Sequence, residues 1–190
     1  TAYRNATNSY DGIVVEARVA DWQVHGVYVL PVSRFPTDSE SLDGNERAFD
    51  KSFSERKFFG VYAASKDNNV KLQSYWLKED DSEVLATKNR DLYTLSVDYT
   101  QPFKNGLITN IEVVGQTGTS YQTASANDTV EKDVRAYMLF GYVGKQITDN
   151  TFLRAEVDYI SGDNDTSDDT ISDFDTLYGV RRFDFGPTDV

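Results

Sequence analysis

The sequence predicts an all-β protein, an antiparallel up-and-down transmembrane β-barrel. Three observations carry that expectation. Eight segments alternate apolar and polar residues one by one, as strands with two different faces do. Each segment is long enough to cross a bilayer when tilted. The connections between them alternate between short and long, as in outer-membrane barrels.

In chain order, the first strand sets Ile13, Val15, Ala17 and Val19 against Val14, Glu16 and Arg18. The second, near 22–32, sets Trp22 and Val24 against Gln23 and His25. A third, near 56–65, is apolar on both faces, so its pattern does not orient it. The fourth, near 70–79, sets Val70 and Leu72 against Lys71 and Gln73. The fifth sets Tyr93, Leu95, Val97 and Tyr99 against Thr94, Ser96 and Asp98. The sixth sets Leu107, Thr109, Ile111 and Val113 against Asn110, Glu112 and Gln116. In the seventh, Ala136, Met138, Phe140 and Tyr142 form the apolar face and oppose Arg135 and Tyr137. The eighth is the clearest: Leu153, Ala155, Val157 and Tyr159 against Phe152, Arg154, Glu156, Asp158 and Ile160.

These segments run about 9–12 residues, whereas a soluble strand is usually about 5–6 and a tilted membrane strand needs about 9–11. The short connections are Ala20-Asp21, Lys66 to Asn69, Pro102 to Gly106 and Lys145 to Asn150. The long ones run near 33–55, 80–89, 118–133 and 162–173 and are polar and acidic. Trp22, Tyr99 and Tyr142 fall at short-turn ends of apolar faces, and Trp76 and Tyr159 at long-loop ends. Amphipathic rings at both boundaries are what a membrane-spanning barrel needs.

Composition agrees and excludes other classes. Aromatic residues make up 13% and prolines number only 4, so long strands are uninterrupted. Mean hydropathy is −0.53, and no run reaches the ~18 apolar residues of a membrane helix. Strands need no such run, because only alternate residues meet lipid. Cysteine is absent, which removes disulfides and thiolate metal sites. A formal charge of −12 argues against nucleic acid as a partner. No signal peptide opens the sequence at Thr1, so one is missing or already removed.

The order of segments resembles the alginate export family of outer-membrane barrels. Asn8 to Gly12 before a strand, then Asp21-Trp22 and a strand ending in Pro31-Val32, look like that family's hairpin. Lys57 to Tyr62 looks like its next strand, and Val134 to Tyr137 and Arg154 to Asp163 look like later ones. Phe174 to Gly179 is similar to its aromatic segment after an acidic loop. The resemblance implies a barrel of about eighteen strands, of which this chain supplies about eight as an internal portion, 1–190 forming one segment incomplete at both ends. The alternative is a self-closed barrel of eight strands. The family resemblance also implies a porin-like channel for passive passage or export of a hydrophilic, anionic polysaccharide such as alginate, located in the bacterial outer membrane.

The polar face is where chemistry is expected. The candidate path residues are Arg18, Lys71, Arg90, Arg135, Arg154, Glu16, Asp98, Glu112, Glu156 and Asp158. Gln23, His25, Gln73, Asn110 and Gln116 share that face. Arginine forks suit carboxylates, so a uronate polymer is a sensible passenger. The same cations and carboxylates could equally brace the barrel wall, and their balance is mixed where the resemblance implies an arginine-rich lumen. No cofactor or metal is expected. His25, the single histidine, has no nucleophile spacing around it, so it reads as a wall residue and not as part of a triad. Asp163 to Asp169 lacks the glycine and distant glutamate of a calcium loop and reads as a solvated loop. Phe174 to Phe185 either folds into the mouth or begins the next strand; we take the strand. The expected partners are the lipid bilayer with its lipopolysaccharide and an anionic or neutral saccharide, with room for envelope secretion partners. The competing classes are a non-transporting adhesive barrel, a barrel-embedded hydrolase and a soluble β-sandwich binding module.

Overall fold

In the computed structural model of the chain, residues 9–33, 49–83, 85–125 and 127–178 are described. Among them there is no helix, and ten strands build one sheet. These are β1 (Tyr10–Val19), β2 (Trp22–Ser33), β3 (Lys51–Ser52), β4 (Arg56–Ser65), β5 (Val70–Glu79), β6 (Arg90–Pro102), β7 (Leu107–Ser120), β8 (Lys132–Thr148), β9 (Thr151–Ile160) and β10 (Thr170–Ile171). The eight long strands follow one another as antiparallel neighbours from β1 to β9. The two short ones lie outside that order: β3 pairs the end of β2, and β10 runs parallel to the start of β8. The sheet is not closed among the described residues; β1 and β9 each have one neighbour and are exposed along both faces.

The register fixes the two faces. Phe59 stands opposite Tyr28 and Trp76, and Val61 opposite Gly26 and Ser74, which places the odd residues of β4 on the apolar face. The pattern alone could not decide this. On β8 the alternation misleads. Ile111 pairs with Gly141 and Val113 with Leu139, so Tyr137, Leu139 and Val143 share the apolar face. Ala136, Met138, Phe140 and Tyr142 therefore lie on the polar face, and Arg135 on the apolar one, the reverse of the sequence expectation. Both faces of β8 are rich in apolar residues, so parity carried little information there.

Among the described residues nothing covers the apolar face. Val15, Ile111, Leu153 and Val157 share it, with exposures between 49% (Ile111) and 68% (Val157). Arg154 and Glu112 stand on the other side of the same strands. A soluble sandwich would bury this face against a second sheet. Toward the long-loop end the rings form a row: Tyr28 on Phe59 at 4.7 Å, Phe59 on Trp76 at 4.8 Å and Trp76 on Tyr93 at 5.8 Å. Tyr137 and Tyr159 continue it at 5.8 Å. Each such pair contributes roughly 0.5–1.5 kcal/mol beyond burial. Trp22 and Tyr99 mark the short-turn end of this face, but Tyr142 does not.

The turns also differ in one place. β8 runs on to Thr148, with a register shift between Gln146 and Thr148, so the hairpin to β9 closes over two residues, where the sequence suggested about six.

Candidate transport path

The polar face divides into two ends. At the short-turn end, alternate residues of six strands bring hydrophilic groups into rows. Lys71 Nζ lies 3.5 Å from Asp98 Oδ1, and Asn110 Nδ2 donates to Asp98 at 3.1 Å and to Thr100 Oγ1 at 3.0 Å. Ser96 donates to Glu112 at 2.6 Å, and Gln73 reaches the same carboxylate at 3.5 Å. Glu16 lies 3.3 Å from His25 Nδ1, and His25 packs edge-on against Tyr62. Arg154 pairs with Glu156 at 2.6 Å and sits 5.2 Å over the Tyr142 ring. Arg18 and Gln23 border a hollow of about 360 Å³ with Lys66 and Asn68. Glu16 and Arg154 remain wet, so their contacts are loose bracing worth well under about 1 kcal/mol for an exposed pair, whereas Asp98 and Asn110 are largely covered.

At the loop end the face is covered. β9 stops at Ile160, and Ser161 leaves the sheet while its side chain accepts the Tyr137 N–H at 2.9 Å and donates to Ser172 O at 2.8 Å. The chain loops out through the acidic stretch, returns as β10, and residues 172–178 cross the polar face from β8 toward β1. As far as Tyr178 this stretch is a strap and not the next strand; residues 179–185, the rest of the segment expected to begin that strand, lie outside the described residues. Asp175 N donates to Gln116 Oε1 at 2.9 Å, and Gln116 Nε2 donates back to Asp175 O at 3.0 Å. Tyr178 packs edge-on against Phe58 and Tyr10. Beneath it Leu77, Leu92, Val134 and Ile171 form a small dry core, joined by Leu177. Leu177 holds φ 56°, an uncommon conformation for such a residue, and its N–H is tied to Asp175 Oδ1 at 2.7 Å.

The strap is anchored by charge. Glu79, the last residue of β5, is 2% exposed. Its carboxylate accepts from Arg90 Nη2 at 2.7 Å and Nε at 2.9 Å, from Thr87 Oγ1 at 3.1 Å and from Tyr178 Oη at 2.6 Å. Arg56 Nε lies 3.2 Å away without pointing along the contact, so that attraction is electrostatic and not a hydrogen bond. The other edge of the Arg90 fork reaches Asp175 at 2.5 Å. Burial, reinforced by the Glu79 charge, pushes the Tyr178 hydroxyl far above the usual tyrosine range. Burial also pushes the Lys88 ammonium down, against the opposing pull of Asp175. Lys88 lines a cavity of about 150 Å³ between strap and loops, with polar Gln122 and Asp163 and apolar Leu92 and Phe174.

Of the ten candidate residues, nine therefore lie on one face. Eight of these belong to its open stretch or edges: Glu16, Arg18, Lys71, Asp98, Glu112, Arg154, Glu156 and Asp158. Arg90 lies beneath the strap with its side chain only 14% exposed and its donors committed to Glu79 and Asp175. Arg135 lies on the opposite face, near Asp133 at 3.2 Å. Sequence reasoning missed Arg56, Glu79, Asp175 and Tyr178. Glu79 had a signal: it continues the Lys71, Gln73, Tyr75, Leu77 parity of β5. In the acidic loop, Asp163, Asp165 and Asp168 turn their carboxylates onto backbone N–H groups of residues 165, 167 and 170. The Ser167 hydroxyl, joined by the Ser167 N–H, holds the Asp165 carboxyl below its usual range. Among the described residues no cluster of three or more acidic or histidine side chains is arranged to hold a metal.

Comparison with known proteins places a family around this geometry. The family described as alginate export matches residues 1–190, the whole chain. No curated protein and no solved structure matches it.

Proposed function

The chain belongs to the alginate export family, whose proteins serve polysaccharide export at the outer membrane and are transporters, not enzymes, and we propose that it forms part of a passive channel for an anionic polysaccharide such as alginate. The observation that carries this reading is the division of the sheet into two faces. The apolar face, rimmed by aromatic rings, suits lipid. The polar face, with charges at Arg18, Lys71, Arg154, Glu16, Asp98, Glu112, Glu156 and Asp158, suits a wet lumen. Charge on a lumen face is tolerated, whereas an arginine or lysine at the bilayer midplane costs about 2–4 kcal/mol.

On this reading Arg135 is no path residue, and Arg90 acts through the strap it holds. The strap narrows the path at the loop end, and passage beyond it runs past polar groups that exchange hydrogen bonds with a hydrated chain. Flow needs no cofactor and no energy source. The edges of β1 and β9, unpaired among the described residues, support a larger barrel completed by further strands, since an unpaired membrane edge leaves backbone groups without partners. They weigh against a self-closed barrel of these eight.

The test is single-channel recording with the full-length protein in planar bilayers. Stepwise conductance, reduced by added oligouronate, is the expected result. No conductance would leave the adhesive barrel as the better reading.

A further inference from the structure

The apolar face is not evenly filled. At Gly26 on β2 a side chain is missing from the row, and a Cβ there would meet nothing within 4 Å. The result is an apolar hollow of about 440 Å³. Ile13 and Val15 border it on one side and Val61 on the other, and the stacked rings of Tyr28, Phe59 and Trp76 stand at its loop-side head.

Two residues farther along β4 and β5, on the same face, Lys57 and Lys78 stand directly opposite each other. Like charges so placed repel across a sheet. Their compensation is thin. Lys78 reaches Asp80 at 3.8 Å and Asp91 at 3.9 Å, and Asp91 already accepts the Trp76 indole N–H at 2.7 Å. Lys57 has no ion pair among the described residues. At a rise of about 3.4 Å per residue, the two ammonium-bearing positions sit about 7 Å beyond the ring row. An apolar slot, an aromatic rim and a cationic pair thus follow one another along a single line toward the loops.

We propose that this line is a binding site for a phosphorylated, multiply acylated glycolipid of the lipid A class. One acyl chain lies in the Gly26 hollow and a phosphate bridges Lys57 and Lys78. The proposal rests on the reading of this face as lipid-facing and of the long loops as outward. That orientation places the lysine pair at the headgroup level of the outer leaflet, where such a lipid resides. A phosphate between the lysines also supplies Lys57 with the ion partner it lacks among the described residues, whereas Lys78 already has Asp80 and Asp91 beside it.

The experiment measures binding of diphosphoryl lipid A and of phosphatidylglycerol to the full-length protein in detergent, by native mass spectrometry. Wild type is expected to prefer lipid A. The double variant K57A/K78A is expected to bind it about tenfold more weakly, the equivalent of one charge-assisted contact. Gly26→Leu, which fills the hollow without a backbone clash, is expected to weaken it as well. Unchanged affinity in both variants, or equal binding of phosphatidylglycerol by wild type, overturns the site. Conductance in bilayers free of lipid A separates the two readings. A protein that conducts but shows no lipid A preference loses this site and keeps the channel. A protein that fails to insert loses the membrane orientation on which both depend.

Discussion

The same strands make both ends of the polar face, yet the two ends are built on different physics. At the short-turn end, Glu16, Lys71, Arg154 and Glu156 meet neighbours within one or two strands and stay in contact with solvent, while Asp98 and Asn110 are largely covered by those neighbours. At the loop end, Glu79, Arg56 and Arg90 are buried under a segment that arrives from far along the chain. Asp175 and Tyr178 meet Arg90 and Glu79 across 85 and 99 residues of sequence. One end holds its charges in water, where each pair is worth little. The other has taken them out of water, where each partner becomes indispensable. Charge on a strand therefore does not announce its role; what covers the strand decides it.

The largest effect should come from breaking the covered end. Glu79→Ala leaves two guanidinium groups buried without their carboxylate, which costs about 3–5 kcal/mol when one partner of a buried pair is lost. The expected outcome is a lower unfolding midpoint in detergent and faster protease cleavage near 174–178. Glu16→Ala at the wet end, whose side chain is 68% exposed, should cost well under about 1 kcal/mol by the same assay. Equal effects at both ends would abolish the distinction.

A second test sets the faces against each other. Val113→Arg, at the centre of the uncovered apolar face, should cost about 2–4 kcal/mol in a bilayer. Asp158→Arg, exposed on the polar face of β9 two strands away, should be tolerated and should alter conductance. If Val113→Arg is neutral in bilayers, the apolar face does not meet lipid.

Much of this was legible in the sequence. On β1, β6 and β9 the period-two pattern is clean, so strand identity and face followed from residues such as Leu153 and Arg154. Turns at Ala20-Asp21 and Lys66 to Asn69 were marked by short polar breaks between alternating runs. The pattern failed on β8, because Val134 and Ala136 lie under the strap and make the polar face apolar there. Farther along, Met138, Phe140 and Tyr142 add apolar bulk to the same face, so Arg135 and Tyr142 were misplaced with them. The strap was illegible in principle from local pattern, since Phe174 to Tyr178 is aromatic and acidic like a strand end. Its position is set by Arg90, Gln116 and Glu79, three residues on three other strands.

Tyr178 gives a smaller effect with a pH signature. Tyr178→Phe removes one hydroxyl-to-carboxylate bond, a contact to a charged group worth about 1.5–3 kcal/mol. The ordinary tyrosine value is 10.0, and burial raises it in the folded strap. Below pH 10 the hydroxyl is protonated whether the strap is docked or free, so its contribution is intact. As pH rises above that, the free form ionises first and docking weakens. Wild type should therefore lose protection of 174–178 from protease progressively above about pH 10. The phenylalanine variant should start weaker and lack that decline. A flat wild-type profile would mean that Tyr178 is not buried against Glu79.

The smallest expected effect belongs to the other end. Ala20 carries φ 52° in the two-residue turn between β1 and β2, a left-handed conformation that costs a residue bearing a Cβ roughly 1–2 kcal/mol. Ala20→Gly relieves that strain but adds freedom to the unfolded chain, so the net gain should be about 0.5–1 kcal/mol. The gain should appear as a raised unfolding midpoint with no change in protease cleavage at 174–178. The turn end is held by local geometry and the loop end by distant contacts, so a local repair should not reach the strap. Slower cleavage of the strap in Ala20→Gly would instead mean that the two ends share one cooperative unit, transmitted through β2, β4 and β5.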